Sequence, residues 1–403
     1  MIAHAIAIRN LLKNRYRTFI SLLMISGALI GVTLFRGYVL RTLEVIQTTI
    51  VNGQFGHLQV AKPEYWSQEY KNKRDTLLTD YGPLVEKIKA IPSVTAVSPR
   101  MKFYGLLSTE NISDSAMVIG IDPKQEKDFA VGLMMIAGKE FLVGDKKIMI
   151  GSSLAKRLRV KPGDDITLVT TTLDQVINAM DFTVGGVFAT GAEEFDSVAA
   201  FAHIEDTQKV MNSTAVDVLK ISISDMKSLD SVKGIIEREY GGSNLETRTW
   251  YQISDLFRKV ESFYNTQTGL MFSILVFIVL LGITNTVSMS LNERIGEIGT
   301  LRALGQSRSS LLNQFMLESF YLCMTALAIG AIACFTITRL VNAAEIKTEI
   351  PGASVPILVE IGFYSDVVFA FSVALFIIVN FFTAILVFRF IRIRIVEALR
   401  YNI

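Results

Sequence analysis

Cysteine and histidine are scarce in this chain of 403 residues, which has two of the former and three of the latter. Cys323 and Cys334 fall within one apolar run, which excludes a disulfide scaffold in the soluble part and predicts buried, inert thiols. The histidines His4, His57 and His203 have no metal-ligand spacing. The sequence therefore predicts no metal site in this chain.

Phosphate-binding and nucleophile motifs are also missing. The glycine-bearing stretches at 151–153 and 241–242 lack the Lys-Ser/Thr ending of a phosphate-binding loop, and no G-x-S-x-G motif occurs. The 40 lysines and arginines nearly balance the 38 aspartates and glutamates, which gives no reason to expect nucleic acid as a partner. We therefore predict a non-catalytic chain that binds no cofactor of its own.

Charge is low overall, whereas apolar residues are abundant. Charged residues make up 19% of the chain and hydrophobic residues 50%, which suits a mixture of membrane and soluble segments. Four apolar segments, at 18–38, 265–291, 319–339 and 367–388, are long enough to cross a bilayer core of about 30 Å as helices. The first resembles a signal peptide, but its length and the lack of a clear cleavage site favour an uncleaved anchor.

Basic residues are distributed unevenly around these segments. They cluster before the first segment, between the second and third, and after the fourth: Arg9, Lys13, Arg15, Arg17, Arg294, Arg302, Arg308, Arg389, Arg392, Arg394 and Arg400. The positive-inside rule then predicts that 1–17, 292–318 and 389–403 are cytoplasmic and that 39–264 and 340–366 lie outside. Residues 1–17 are predicted to form an amphipathic helix at the membrane surface, with a plain basic flank as the alternative.

The large outer segment alternates strand and helix signals. Runs rich in Val, Ile and Thr at 57–60, 116–121, 166–171, 182–188 and 218–223 predict strands, and apolar residues at helical spacing in 84–91 and 229–240 predict helices. This order indicates two α+β half-units that form one mixed sheet. Residues 145–191, with short strands and turn signals, are interpreted as an inserted, mostly β subdomain.

The segment between the second and third apolar runs carries the most specific pattern, NERIGEIGTLRALG at 292–305. As a helix it repeats Ile295, Ile298, Leu301 or Arg302, and Leu304 or Gly305 at steps of three to four residues, which gives an apolar ridge flanked by charges and small residues. Small residues permit close approach and charges fix register, so the pattern predicts a docking ridge. The alternative is an ordinary charged loop whose arginines only set topology.

This pattern after a long apolar run resembles the coupling segment of FtsX-like, MacB-type ABC transporter permeases, and the layout is closest to the lipoprotein-releasing LolC and LolE permeases. Further stretches resemble the same family: AIRNLLKNRYR at 7–17, GHLQV at 56–60, VIGIDP at 118–123, GSSLAKRLRVKPGDDIT at 151–167 and IVEAL at 395–399. The resemblance implies an inner-membrane protein with four transmembrane α-helices and a large α+β extracytoplasmic domain, in which porter-like halves carry a sabre-like β insertion.

Partners are implied by the same resemblance. Two permeases, identical or paralogous, pair with two copies of an ABC ATPase subunit, which binds ATP and magnesium, and a periplasmic carrier or adaptor is a further partner. The residues implied to contact the ATPase are Glu293, Arg294, Glu297, Ile298, Gly299, Leu301, Arg302, Ala303, Leu304 and Gly305.

Two further sets of residues are candidates for contacts outside the cytoplasm. Leu173, Val176, Ile177 and Met180 are either an exposed patch for a periplasmic partner or a cap on the core of the insertion. Phe263, Tyr264, Met271 and Phe272 are either a lipid or substrate entrance or members of an interfacial aromatic belt.

The expected function is coupling of ATP hydrolysis by a separate subunit to movement outside the membrane, with lipoprotein release from the inner membrane as the expected process. A MacB-like exporter of peptides or drugs, working by mechanotransmission, and an FtsX-like regulator of a cell-wall hydrolase are the alternatives within the family. A membrane-anchored receptor or adhesion protein is the rival outside it, and the coupling pattern argues against that rival.

Overall fold

A computed structural model describes residues 9–11, 13, 15–67, 73–126, 133–139, 146–240, 244–348 and 357–392. Most of the predicted N-terminal amphipathic helix and the tail beyond residue 392 lie outside these residues. The chain divides into two compact units. The first comprises Met1–Leu43, Val260–Ile346 and Val359–Ile403, and the second Glu44–Lys259 and Lys347–Leu358.

Helices and strands alternate in the second unit, and helices dominate the first. The helices are α1 (Arg15–Thr49), α2 (Pro63–Ser67), α3 (Gly82–Lys89), α4 (Ser152–Leu158), α5 (Glu193–Asp196), α6 (Ile204–Met211), α7 (Leu229–Tyr240), α8 (Trp250–Ile253), α9 (Asp255–Glu293), α10 (Ile295–Ala303), α11 (Arg308–Ala343) and α12 (Ser365–Ile391). The strands are β1 (Leu58–Ala61), β2 (Val94–Ser108), β3 (Ser113–Ile121), β4 (Met134–Gly138), β5 (Lys147–Gly151), β6 (Asp165–Thr171), β7 (Ile177–Ala189), β8 (Ala199–His203), β9 (Val218–Ile223), β10 (Glu246–Thr249), β11 (Lys347–Thr348) and β12 (Ile357–Leu358).

Four helices, α1, α9, α11 and α12, are long and apolar enough to cross a membrane, which confirms the predicted fold class. α1 continues through a π-helical turn, Ile50–Phe55, for 41 residues in all, and α9 has 39. At about 1.5 Å per residue each is roughly 60 Å long, about twice the apolar thickness of a bilayer. Both helices therefore extend beyond the apolar segments at 18–38 and 265–291.

Apolar side chains from all four long helices form the core of the first unit. Its buried members are Ile25, Ala28, Leu29, Val279, Ile283, Cys323, Ala326, Leu327, Leu375 and Val379. Both cysteines are free and buried, and the Thr33 hydroxyl lies 3.2 Å from the Cys334 sulfur. Gly330 faces Ser26 and Leu29, where a side chain would collide with α1. A small residue at this position therefore lets α1 and α11 approach closely.

The second unit is built on a ten-stranded mixed sheet with the order β10-β1-β9-β2-β3-β8-β5-β7-β4, and β6 pairs with β2 and β7. The β3–β8 and β5–β7 pairs are parallel and the others antiparallel. β2 is 15 residues long and takes part in both halves of the sheet. β1 pairs with β10, with Leu58 opposite Thr249, so the first and last strands of the sheet are neighbours.

The segment 145–191 contributes β5, β6, β7 and α4, and is mostly β as its sequence indicates. Its strands pair with β2 and β8 instead of closing a sheet of their own. Ile148, Ile166 and Phe182 share one hydrophobic core with Leu58 and Leu219. The insertion and the half-units are therefore one packed domain. Its predicted helices are present as α3 and α7, which bury Ile88 and Ile236 respectively.

Candidate functional site

Residues 293–305, which we call the coupling segment, comprise the last residue of α9, the short helix α10 and a break in the helical path on each side of α10. Arg294 interrupts the helical path between α9 and α10, with φ −106° and ψ 13°. Gly305 has φ +94°, a left-handed conformation that favours glycine, and so ends α10 sharply. Ser307 then caps α11 by accepting a hydrogen bond of 3.2 Å from the backbone N–H of Ser310.

One face of α10 is buried against the ends of the long helices. Ile295, Gly296, Ile298 and Gly299 are all buried. Ile298 belongs to a cluster with Leu291, Leu311, Phe315, Val387 and Ile391. Apolar burial of this kind holds α10 to the bundle without fixing its direction, because the hydrophobic effect is non-directional.

The opposite face of α10 is exposed and ends in apolar side chains. Leu301 is 39% exposed and Leu304 is 81% exposed. Glu297, Ala303 and Gly305 are exposed beside them. Of the ten residues predicted to contact an ATPase, Ile298 and Gly299 are thus turned into the bundle. Five of the ten, Glu297, Leu301, Ala303, Leu304 and Gly305, lie on the exposed surface of the coupling segment, together with Thr300.

The remaining three predicted contacts, all charged, are bound to three different helices of the same unit. Glu293 accepts a hydrogen bond of 3.0 Å from Arg17 of α1. Arg294 donates one of 3.1 Å to Glu318 of α11. Arg302 donates one of 3.1 Å to the backbone carbonyl of Ile391, the last residue of α12.

Arg17 and Glu318 were not identified from the sequence as members of this site. A signal was present, because Glu318 is the only acidic residue in α11. An ionisable side chain within an apolar helix is costly without a partner and so indicates a functional or structural pairing. The identity of that partner required the three-dimensional structure.

A small cleft of about 80 Å³ is lined by the four long helices, and its lining includes Glu318, the partner of Arg294. Hydroxyl groups pair across it, since Ser21 lies 3.3 Å from Thr286 and Ser319 lies 3.4 Å from Thr383. Arg17 also donates to Ser290 at 3.2 Å. Polar contacts between the helices are therefore concentrated at the end of the bundle that carries α10.

The four residues predicted to contact a periplasmic partner lie in or next to the turn between β6 and β7, and only two of them are exposed. Val176 and Ile177 are 60% and 76% exposed, which favours a contact patch at the tip. Leu173 and Met180, by contrast, pack against the domain core, as the alternative interpretation required. The turn and the start of β7 thus have one exposed apolar pair, Val176 and Ile177, and one pair that faces the core, Leu173 and Met180.

The four residues of α9 predicted to form a lipid or substrate entrance also differ in their exposure. Phe263 is exposed, and its ring centroid lies 6.0 Å from that of Tyr264. Phe272 packs inside the bundle at 5.2 Å from the ring of Phe371. Met271 lies beside Gly31 of α1. Phe263 and the partly exposed Tyr264 are thus the members of this set that remain open to lipid or substrate.

A buried charge cluster in the second unit was also missed from the sequence. Arg100 and Lys220 both bind the carboxylate of Glu126, at 2.9 Å and 2.8 Å respectively. The same two cations donate to backbone carbonyls of the π-helical turn: Lys220 to Asn52 at 2.7 Å, and Arg100 to Gly53 at 3.3 Å. The cluster thus fixes the end of the long α1 path to β2 and β9.

Burial and charge shift several pKa values in this unit. Burial raises the pKa of Glu126, but Arg100 and Lys220 more than offset it and lower the pKa to about 2. Burial raises the pKa of Asp217, although the nearby charge of Lys73 acts to lower it. Burial lowers the pKa of Lys102, because burial disfavours the charged form of either group. Across the described residues, no three Asp, Glu, His or Cys side chains come together in a way that would hold a metal ion.

Comparison with known proteins assigns both units of the chain. Residues 18–239 match the family model of the MacB-like periplasmic core domain, and residues 269–395 match the FtsX-like permease C-terminal model. The chain is 26% identical over 322 residues to the lipoprotein-releasing system transmembrane protein LolC of Neisseria meningitidis, a match that covers 77% of this chain and 74% of LolC.

Two other relatives show the breadth of the similarity. The ABC transporter permease YtrF of Bacillus subtilis is 24% identical over 369 residues, which covers 83% of each chain. The macrolide export ATP-binding/permease protein MacB of Hahella chejuensis is 24% identical over 349 residues, covering 81% of this chain and 51% of MacB. Because the periplasmic core model alone spans more than half of the sequence, the chain belongs to the FtsX-like, MacB-type family of ABC transporter permeases.

Proposed function

We propose that this chain couples ATP hydrolysis by a separate ABC ATPase to movement outside the membrane, and that the process it drives is the release of lipoproteins from the inner membrane. The observation that carries the proposal is the exposed apolar end of α10, Leu301 and Leu304, on a helix whose other face is buried. Large apolar side chains exposed side by side on a surface are typical of protein interaction sites. The similarity to LolC supports lipoprotein as the cargo.

In this proposal the coupling segment and both termini lie in the cytoplasm and the sheet unit lies in the periplasm. The arginines at 294, 302 and 308 support that orientation through the positive-inside rule. Two ATPase subunits, which bind ATP and magnesium, dock on the coupling segments of two permeases. The second permease is a copy of this chain or a paralogue.

Force reaches the outer domain along the two long helices that flank it in sequence. α1 and its π-helical turn run unbroken from Arg15 to Phe55, and α9 runs from Asp255 to Glu293. The Glu126 cluster binds carbonyls of the π-helical turn and so secures its end to the sheet. In this proposal the two helices carry a tilt to the outer domain, so that no substrate tunnel through the membrane is needed.

The exposed pair Val176 and Ile177 is proposed as the contact for a periplasmic carrier or adaptor, and Phe263 with Tyr264 as part of the substrate entrance. A MacB-like exporter of peptides or drugs is the alternative, supported by the match over 349 residues to MacB. An FtsX-like regulator of a cell-wall hydrolase is a further alternative, supported by the match at 269–395.

The test is a Leu304→Asp substitution in the full-length permease, purified with its ABC ATPase and reconstituted in proteoliposomes. We expect at least tenfold less bound ATPase and a matching loss of lipoprotein release, because a charge replaces the apolar anchor. Ser309→Asp, an exposed position near the start of α11, is the matched control and is expected to retain both. A large side chain at Gly299 would be a poorer test than the Leu304 substitution, because Gly299 is buried and its replacement would disturb the packing of α10. Normal ATPase binding by the Leu304 variant would remove α10 as the docking site.

The cargo is tested separately with the same complex. A photocrosslinker at Ile177 is expected to capture a periplasmic lipoprotein carrier, and one at Phe263 the lipoprotein itself. Capture of peptides or macrolides at Phe263 favours the MacB-like alternative, and capture of a cell-wall hydrolase at Ile177 favours the FtsX-like one.

A further inference from the structure

Both arginines of the coupling segment bind groups of the same unit, Arg294 the carboxylate of Glu318 and Arg302 the backbone carbonyl of Ile391. We propose that Glu318 is a positioning residue of the transporter, and that the Glu318–Arg294 pair is the joint through which movement of α10 passes to α11. This inference rests on the proposed function, in which a partner pushes on the exposed face of α10. It assigns Arg294 a role different from ATPase contact.

The location of the joint is the first argument. Arg294 immediately precedes α10 and has a backbone conformation outside the helical range, so it lies at the hinge between α9 and α10. Its guanidinium reaches Glu318, ten residues into α11, at 3.1 Å. A displacement of α10 about that hinge therefore acts on α11 through this contact.

The nature of the contact is the second argument. Ile298 holds α10 to the bundle by apolar packing, whose free energy depends on the area buried and not on the alignment of any one pair of atoms. A charge-assisted hydrogen bond is directional and short, so it moves both of its partners together. Only the charged contacts of the coupling segment have that property.

Burial distinguishes this pair from the neighbouring one. The side chains of Arg294 and Glu318 are 14% and 13% exposed, whereas Glu293, which binds Arg17, is 49% exposed. Exposed ion pairs contribute little, because water competes with both partners. When a mostly buried pair loses one partner, the remaining charge is left desolvated and unpaired. Separation of Arg294 from Glu318 is therefore more costly than separation of Glu293 from Arg17.

Glu318 also binds a residue from the N-terminal part of the chain. Its carboxylate accepts a hydrogen bond of 2.6 Å from Asn10, which precedes α1. At the far end of α10, Arg302 donates to the terminal carbonyl of α12, where the helix dipole places partial negative charge. α10 is thus held at both ends by cations bound to other helices, while Leu301 and Leu304 remain open.

The experiment uses the full-length permease with its co-purified ABC ATPase in lipid nanodiscs. Hydrogen exchange of residues 308–322 is measured with and without ATP and vanadate, together with the amount of bound ATPase and lipoprotein release from matched proteoliposomes. Glu318→Gln keeps the shape of the side chain but removes its charge. We expect ATPase binding to stay within twofold of wild type, while the nucleotide-dependent change in exchange at 308–322 and the release rate fall at least tenfold.

Two comparisons make the result specific to the joint. Glu293→Gln applies the same change to the exposed pair next to it and is expected to reduce release less than threefold. Glu318→Arg is expected to be at least as defective as Glu318→Gln, and the exchange Arg294→Glu with Glu318→Arg is expected to restore at least half of the wild-type response.

Unchanged exchange and release in the Glu318→Gln complex would overturn the inference, as would a Glu318→Arg defect that the charge exchange does not relieve. Failure of the proposed function has a different signature, because the wild-type permease would then retain no ATPase or show no nucleotide-dependent exchange in α10.

Discussion

Arg100 and Glu126 form an ion pair with side chains 5% and 1% exposed, inside the sheet unit. Lys220 completes the cluster from β9, with its ammonium 2.8 Å from the same carboxylate. One carboxylate therefore serves two cations that also bind carbonyls of the π-helical turn at 52–54. Glu126 is the member on which the electrostatic balance of the cluster depends.

Replacing Glu126 with Gln is expected to destabilise the protein by about 3 to 5 kcal/mol, since it leaves two buried cations without their counter-charge. The measurement is chemical unfolding of the full-length permease in detergent, followed by tryptophan fluorescence. Glu110→Gln, at an exposed position, is the control and should stay within about 0.5 kcal/mol of wild type. Equal stability of the two variants would show that the cluster contributes nothing net.

The lowered pKa of Glu126 predicts loss of stability in acid. The native pKa, about 2, lies below the ordinary value of 4.5, so the contribution is present above pH 4.5 and is lost as pH falls toward 2. The difference corresponds to about 3 kcal/mol at neutral pH. Asp217, whose pKa is raised by burial, acts in the opposite direction. Unfolding measured between pH 7 and pH 3 should show a smaller decline in Glu126→Gln than in wild type; parallel curves would contradict this assignment.

Gly330 is expected to be intolerant of a large side chain. A Cβ atom there would lie 3.1 Å from the Leu29 side chain and 3.3 Å from the Ser26 backbone. Gly330→Leu should therefore separate α1 from α11 and cost about 1 to 3 kcal/mol or more, measured as a lowered Tm in detergent. Gly27→Leu, where nothing lies within 4 Å, is the matched control and should unfold near the wild-type temperature.

The exposed and the core-facing apolar side chains at the tip of the β6–β7 hairpin are expected to respond differently to the same substitution. Ile177→Asp should leave the Tm nearly unchanged, because the side chain is 76% exposed, yet abolish capture of a carrier. Leu173→Asp should lower the Tm by several degrees, because it removes apolar packing against the domain core. A Tm loss at Ile177 as large as that at Leu173 would mean that the tip is structural.

Sequence reasoning predicted the elements whose signal is local. The four apolar helices, the strand at 218–223 and the helix at 229–240 follow from composition and periodicity, and the α10 helix follows from its spacing. The ends of α1 and α9 were not predicted, because hydropathy marks where a bilayer begins and says nothing about where a helix stops. The first turns of α9, before residue 265, carry Leu256, Phe257, Val260 and Phe263 at helical spacing, but charged residues interleave them, so they lie outside the hydropathy signal for a membrane segment.

Charged residues were the least predictable part of the site. A sequence shows that Arg294 and Arg302 are cations but not whether they face outward, and their partners lie 24 and 89 positions away. Lys220, central in the apolar run of β9, was a signal available beforehand, because a buried lysine requires a counter-charge. Its partner Glu126 lies 94 positions away and carries no local pattern.

The pairing of β1 with β10 has an evolutionary and practical consequence. Because Leu58 lies opposite Thr249, the chain enters and leaves the sheet through strands that are about 5 Å apart. A module with such closely spaced ends is exchangeable as a cassette, since a substitute needs only a matching pair of terminal strands. Chimaeras that graft a foreign sheet domain between positions 57 and 250 should keep the helical bundle intact, which offers a direct route to exchanging the sheet domain of this permease.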